Sequence, residues 1–415
     1  MNFIEIKFDL RHSLSFHKGG YNRTMPVDFL NLLPQIRDFS DHAVERQSQA
    51  ESRLSALRTS FAALAGRTDI EALVRTNLSG KQAAHIALPT DEAIDRGFPL
   101  PESARRPGTV LAADGSQVIP NRHEEIRFGL INIGLFETRP GSGIVPVETV
   151  TTELLDEFSD GERLDEFRVS YLRDLSERCL IAEAVAGLAS DREPVLALTD
   201  GPISIFQRRK PVSGAAGAFS PEDRRRIETA YQVMARRGVL YAGYIDRPGS
   251  DLVVRMAQTA LNQETSESGP KTLTDAGLFA SVLGPTERSA VFRLATVNSG
   301  MDDEEILAVY FFYLNLQGAQ RFRTRKRATI ARVEVPDWVA REPASIDTLH
   351  AALVAQAGMI DGMLYPYALQ RAHEIALIRA GEKERIKRKL MNEMIRRGGS
   401  PRDKSEKQRS KDLIN

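Results

Sequence analysis

Residues Thr109 to Gln117 read TVLAADGSQ, and the reading of this stretch decides the fold. Small and apolar residues lead up to a single carboxylate, Asp114, and Gly115 follows at once. Such a run reads as a buried strand punctuated by a glycine at its end. A carboxylate at the tip of a buried strand is costly unless hydrogen bonds or a metal compensate it. The pattern recurs at Pro194 to Pro202, PVLALTDGP, with Asp200 at the tip. Asp-Gly is also a favoured turn dipeptide, because Asp bonds its own backbone and Gly accepts positive φ. Two such tips after two apolar strands nevertheless suggest carboxylates brought together by neighbouring strands of one sheet.

The chain around these strands has an ordinary globular composition. Of its 415 residues, 42% are hydrophobic and 27% charged, enough to bury a sizeable core. The 56 basic and 56 acidic residues cancel, so any argument for nucleic-acid binding must be local. A lone cysteine, Cys179, excludes an intrachain disulfide and fits a reduced compartment. The start, MNFIEIKFDLRH, has no apolar stretch of signal-peptide type, and no run reaches the length of a membrane span. These features predict a cytoplasmic protein without membrane contact.

Taken in order, the chain predicts a strand at Phe3 to Leu10 and a helical segment from Val27 to Leu64, its apolar stripe at Leu54, Leu57, Phe61 and Leu64. A Pro/Arg-rich connector, Pro99 to Gly108, leads into the first Asp-Gly strand. Strands follow at Arg127 to Glu137 and Gly143 to Thr152, then a long helix over Gly161 to Ser190, then the second Asp-Gly strand. Gln207 to Ser220 reads as a flexible loop, Pro221 to Gly238 as a helix and Val239 to Ile245 as a fifth strand. Residues 251–283 read as largely helical, 288–297 and 307–314 as strands, and the C-terminal part as helices over Ser345 to Met359, Tyr367 to Ala380 and Lys383 to Arg397. The expected division is an N-terminal strand and helical arm (1–104), a catalytic α/β domain (105–397) and a polar basic tail (398–415).

Three strands, a helix and a strand ending in Asp make the ribonuclease H-like arrangement: a mixed sheet flanked by helices, here with helical additions at both ends. Its chemistry takes carboxylates from the first strand, the first long helix, the fourth strand and a late helix. Two divalent cations about 3.5–4 Å apart then straddle the scissile phosphate. Asp114 and Asp200 fill the strand slots. For the helix, Glu177 and Glu183 compete. With a rise of ~3.3 Å per strand residue and ~1.5 Å per helix residue, the level of Asp200 falls roughly eleven residues before the helix end, which favours Glu177. The helical wheel dissents, placing Glu177 opposite the stripe of Leu172, Leu175, Cys179, Ala182, Ala186 and Ala189. A solvated pair of Glu177 with Arg173 at i,i+4 is the plainer alternative.

Several motifs in a fixed order make a more specific match. They are the DGS of Asp114 to Ser116 with His123 downstream, the DGP of Asp200 to Pro202, GYIDRP (Gly243 to Pro248) and DAGLF (Asp275 to Phe279). ERSAVF (Glu287 to Phe292), ARVEVPDWV (Ala331 to Val339) and YPYALQRAHEIA (Tyr365 to Ala376) complete the set. In these motifs the chain resembles the NurA family of DNA-repair nucleases over residues 105–390. The resemblance implies a ribonuclease H-like fold and a Mn²⁺-dependent nuclease, Mg²⁺ being the other candidate, with two ions per site. It implies single-stranded DNA and duplex ends as substrates, a homodimer, and a hexameric HerA-type ATPase as partner. Carried over residue by residue, it implies metal-ligand and catalytic roles for Asp114, Glu177, Asp200 and His373. His123 is left as a loop residue near Asp114. The family's second Asp is usually followed by Gly-Ser, where this chain has Gly201-Pro202.

Two basic stretches are candidates for phosphate contact. Arg321, Arg323, Arg325, Lys326, Arg327 and Arg332 lie between Gln320 and Arg332 with no acidic residue among them. From Gly381 onward, twelve Lys/Arg face six Asp/Glu, 12 − 6 = +6. No Walker A pattern occurs, so ATP hydrolysis falls to a partner. A catalytically inactive DNA-binding or adaptor module is the rival reading. An aspartate-nucleophile phosphatase ranks last, because it needs a second Asp where this chain has Ser116.

Overall fold

The computed structural model describes residues 28–78, 84–156, 158–159, 162–189, 193–203, 220–263, 273–297, 307–320 and 328–400. The expected strand at Phe3 to Leu10, residues 207–219 of the expected loop, the cluster Arg321, Arg323, Arg325 and Lys326, and the tail beyond residue 400 lie outside them. The chain divides into two compact units, Met1–Ser52 and Arg53–Asn415.

In chain order the elements are α1 (Phe29–Ala62), α2 (Ile70–Leu78), β1 (Ala84–Pro89), β2 (Thr109–Val118), β3 (Gly129–Thr138) and β4 (Val147–Leu155). A two-residue pair, β5 (Phe158–Ser159) and β6 (Glu162–Arg163), precedes α3 (Glu166–Gly187), β7 (Val195–Asp200), α4 (Pro221–Arg236) and β8 (Leu240–Asp246). Then come α5 (Leu252–Ala260), α6 (Asp275–Phe279), β9 (Phe292–Val297), β10 (Val309–Asn315) and β11 (Ile330–Pro336). Helices α7 (Asp337–Ala340), α8 (Pro343–Ala357), α9 (Tyr367–Ala376) and α10 (Ala380–Arg396) close the chain.

Nine strands form one mixed sheet in the order β1-β9-β10-β11-β8-β7-β2-β3-β4. Its half β4-β3-β2-β7-β8 is the arrangement expected from the sequence. β2, β3 and β4 form an antiparallel meander, and β7 and β8 lie parallel to β2 on its other side. Parallel neighbours need crossover helices, and α3 and α4 supply them. The other half, β11-β10-β9-β1, is an antiparallel extension. β1 and β11 had no strand expectation, and β1 comes from the segment before residue 104.

Strand alternation sorts the core into two layers. Leu111, Ala113 and Ala197 face α3, in one cluster with Val169, Leu175 and Ile181. Val110, Ala112, Leu196 and Leu198 face the other way, with Leu353, Ala368 and Ala372 of α8 and α9. The late turns of α1 and the turn that follows place Leu57, Phe61 and Leu64 in the first cluster, as their spacing predicts.

Candidate active site

β2 and β7 run parallel with Ala113 opposite Thr199, so Asp114 and Asp200 stand side by side at the strand ends. Alternation turns both toward the α9 side, with Val110, Ala112, Leu196 and Leu198. The expectation that neighbouring strands carry the two tips side by side holds in the register.

Each residue of the Asp-Gly-Ser triplet positions a different partner. Asp114 Oδ2 lies 2.7 Å from His373 Nδ1, the nitrogen donating. Ser116 Oγ donates to the carbonyl of Ala376 and accepts from the Ile378 amide at 3.2 Å, which fastens the end of α9 to β2. Asn132 Nδ2 donates to the same carbonyl at 2.8 Å. Gly115 faces α3, where a Cβ would sit 2.6 Å from Arg173 Cγ and 2.8 Å from Glu177 Oε1. The missing side chain is the opening through which the helix side chains reach the strand tip.

Glu177 is buried in that opening, 2% exposed, whereas Glu183 is exposed on the outer side of α3. The residue-rise argument therefore points to the inward glutamate. The wheel argument fails for a physical reason: α3 buries Asp174, Glu177 and Arg178 beside Leu175 and Ile181, so apolarity does not mark its inner face. Arg173 Nη2 donates to Asp174 Oδ1 at 2.8 Å, and its Nε lies 3.4 Å from Glu177 Oε1. Arg178, 1% exposed, lies 3.2 Å from Glu177 Oε2 and donates to the carbonyls of Asp174 (2.8 Å) and Pro202 (2.7 Å). One buried guanidinium thus ties the helix glutamate to the loop after Asp200.

That loop is held from every side. Gly201 adopts φ +87°, its amide donates to Tyr244 O at 2.8 Å, and Gly243 leaves room for its carbonyl. Tyr231 Oη donates to the Ile203 carbonyl at 2.7 Å, and the Ile203 amide donates to Glu334 Oε2 at 3.1 Å. Asp200 Oδ1 accepts from Tyr365 Oη at 3.0 Å, and the Tyr365 ring meets Tyr244 edge-on at 5.3 Å. Burial and the neighbouring Asp200 carboxylate keep the Tyr365 hydroxyl protonated, far above the ordinary phenol range.

Electrostatically the site is a strained set of like charges. Burial first, then repulsion from Asp114, pushes Asp200 upward, while Tyr365, His373 and Arg173 oppose the shift. Burial also pushes Glu177 upward; Arg178 and Arg173 oppose this, while Asp174 and Asp114 add to it. Carboxylate oxygens with one imidazole are the donors that hard cations such as Mg²⁺ and Mn²⁺ take, so the donor set fits such an ion in kind. Among the described residues, no three His, Cys, Asp or Glu side chains converge around a common point as they stand. Asp114, Glu177 and Asp200 are turned toward His373, Arg173 and Arg178, and Tyr365.

One further expectation is corrected. Arg332 is not part of a phosphate-facing patch: β11 turns it inward, and its Nη2 pairs with Glu334 Oε1 at 2.6 Å. His123 lies in the turn after β2, where its Nε2 accepts from Arg122 Nε at 3.2 Å. Asp174, Arg178 and Tyr365 were missed as site residues. Tyr365 stood in the quoted YPY motif, but nothing in that motif shows that its hydroxyl meets Asp200.

A family model for the NurA domain matches residues 108–378, well over half of the chain. The chain belongs to the NurA domain family. The matched span opens at β2 and runs past the end of α9, so it encloses every residue of the strand-tip cluster. Similar solved structures include the NurA nuclease from Sulfolobus solfataricus, at 13% identity over 87% of this chain and 98% of that one, with a TM-score of 0.47. A second NurA structure is 10% identical over 85% and 97% of the two chains, with a TM-score of 0.42. The catalytic domain of human endonuclease V is 13% identical over 82% and 98%, with a TM-score of 0.30. No curated protein matches the chain.

Proposed function

We propose that the chain is a metal-dependent deoxyribonuclease whose centre is Asp114, Glu177, Asp200 and His373. The observation that carries this reading is adjacency: Asp114 and Asp200 stand side by side on parallel strands, Glu177 lies behind Gly115, and His373 of the late helix meets Asp114. These four residues would hold the divalent cation, Mn²⁺ by preference and Mg²⁺ as the alternative, with two ions per site. Such a cation neutralises charge on the phosphate oxygens and makes water a competent nucleophile near neutral pH. The chain's own groups orient the donors: Tyr365 fixes one oxygen of Asp200, and Arg178 holds Glu177 and the Asp200 loop together.

We take the activity to be 5′-to-3′ exonuclease with single-strand endonuclease cleavage. It would process DNA ends for double-strand break repair beside a HerA-type hexameric ATPase. Arg321, Arg323, Arg325 and Lys326 are proposed as phosphate contacts. The outward face of α10, where Arg385, Arg388 and Lys389 are exposed, is proposed with them. Its rotation is pinned from inside, because the buried Lys387 pairs with Glu124 and Glu125 at 2.5 and 3.1 Å.

The test is cleavage of end-labelled single-stranded and duplex DNA with Mn²⁺, Mg²⁺ or EDTA. Cleavage should require the metal, release nucleotides from 5′ ends and vanish in Asp114→Asn. DNA that is bound but never cut under any of these conditions would establish the inactive binding module instead.

A further inference from the structure

Arg173 differs from its neighbour Arg178 in how it is held. Arg178 is sealed in the interior by two backbone carbonyls and Glu177. The Arg173 side chain is 24% exposed and meets carboxylates: Asp174 at 2.8 Å and Glu177 at 3.4 Å. Its stem lies over Gly115, so its charge sits against the strand tip and attracts Asp114 as well. Asp174 and Glu177 thus share one solvent-reachable guanidinium, whose charge also attracts the strand-tip carboxylates Asp114 and Asp200.

We propose that Arg173 is the built-in counter-charge of this cluster, holding the acidic residues together until a divalent cation displaces it, and so sets how tightly the cation binds. This inference rests on the metal-dependent reading above. The Arg173 guanidinium, 3.4 Å from Glu177 Oε1, must give way before that oxygen can turn toward an ion, while Arg178 keeps the other oxygen, Oε2. Two cations crowded onto the same oxygens repel each other by several-fold more than exposed charges do, because the surroundings are largely protein. The partly exposed side chain leaves Arg173 a way out into water that Arg178 lacks. Displacement, rather than addition, is the arrangement the geometry favours.

The experiment measures Mn²⁺ binding to the full chain by the loss of the free-ion electron paramagnetic resonance signal, at fixed pH and without DNA. Arg173→Gln should bind Mn²⁺ at least about tenfold more tightly than the unaltered chain. Its thermal midpoint without added metal should fall, and the rise on adding Mn²⁺ should exceed that of the unaltered chain. Arg173→Lys keeps the charge but loses the planar fork, so its affinity should lie between the two and serves if the Gln variant does not fold. Arg67→Gln, which removes a surface charge paired with Asp69, should change nothing. Equal or weaker Mn²⁺ binding in the Arg173 variants overturns the counter-charge role. If the unaltered chain shows no Mn²⁺ binding sensitive to Asp114→Asn, the metal-dependent reading itself fails, which the Asp114 control reports separately.

Discussion

At Gly115 a single added carbon would stand within 3.0 Å of Arg173, Glu177 and Ile133 side-chain atoms. Glu177 Oε1 and Ile133 Cδ1 are side-chain ends that can turn aside and Arg173 Cγ can shift with its exposed side chain, so Gly115→Ala should leave the fold standing and push Glu177 away from the strand tip. Misplacement of about an ångström in a reacting constellation costs on the order of 100-fold in rate. Single-turnover cleavage should fall by that much while circular dichroism melting shifts by only a few degrees; unchanged cleavage would show that Glu177 needs no such opening. Asp275 offers a second test far from the strand tips. It is wholly buried, accepts from the amides of Val253 and Val254 and from Tyr313 Oη, and burial pushes it up to about 6. With the folded value above the unfolded one, near 3.8, its contribution is fully present below that unfolded value and is lost as pH rises through about 6. Asp275→Asn should therefore flatten the pH dependence of urea unfolding between pH 4 and 6. An unaltered slope would place the pH dependence elsewhere.

At the scale of elements, the contact of His373 with Asp114 depends on α9 lying directly on β3. Gly134, opposite Asp114 in the β2–β3 ladder, makes this possible: a Cβ there would meet Ala372 O at 2.6 Å and Ala376 N at 2.7 Å. These are backbone atoms of the helix, so the helix itself must move. Gly134→Val should cost roughly 1–3 kcal/mol by overpacking and pull His373 off Asp114. Gly187→Ala, with nothing within 4 Å, should be neutral or slightly stabilising. Cleavage assays beside chemical denaturation would check both, and an active, stable Gly134→Val would refute the role given to α9. The elements themselves were largely legible. β2, β3, β7 and β8 announced themselves by apolar runs with glycine punctuation, and α4 by Glu222 and Asp223 near its start and Gly238 after its end. The inward face of α3 was not legible, because the charges it buries, Asp174, Glu177 and Arg178, compensate one another and Arg173 along the helix and interrupt its apolar stripe.

At the scale of the molecule, the first unit, residues 1–52, carries a helix segment with Phe29, Leu33, Ile36, Phe39 and Val44 exposed. Exposed apolar side chains in such number point to a partner surface. We propose that this surface serves the homodimer or the ATPase contact. A chain of residues 53–415 keeps Leu57, Phe61 and Leu64 of the core. It should fold, cleave short single strands and lose self-association, ATPase binding or both. A truncated chain that stays dimeric by light scattering and still binds the ATPase would move both contacts into the second unit.

The order of strands and helices, the two Asp-Gly tips and the late helix with His373 were set by local chemistry: apolar runs, turn residues and helix spacing act over a few positions. A count of rises along α3 even selected Glu177. Tertiary structure alone decided the rest. Arg173 and Arg178 became site residues because α3 crosses beneath Gly115, and Tyr365 because α8 and α9 bring it over Asp200. Arg332 left the basic surface because β11 pairs with β8 and turns it to Glu334. Each depends on which side of the sheet a residue faces and on what covers that side, and burial there decides the energy of a charge, which no local pattern states.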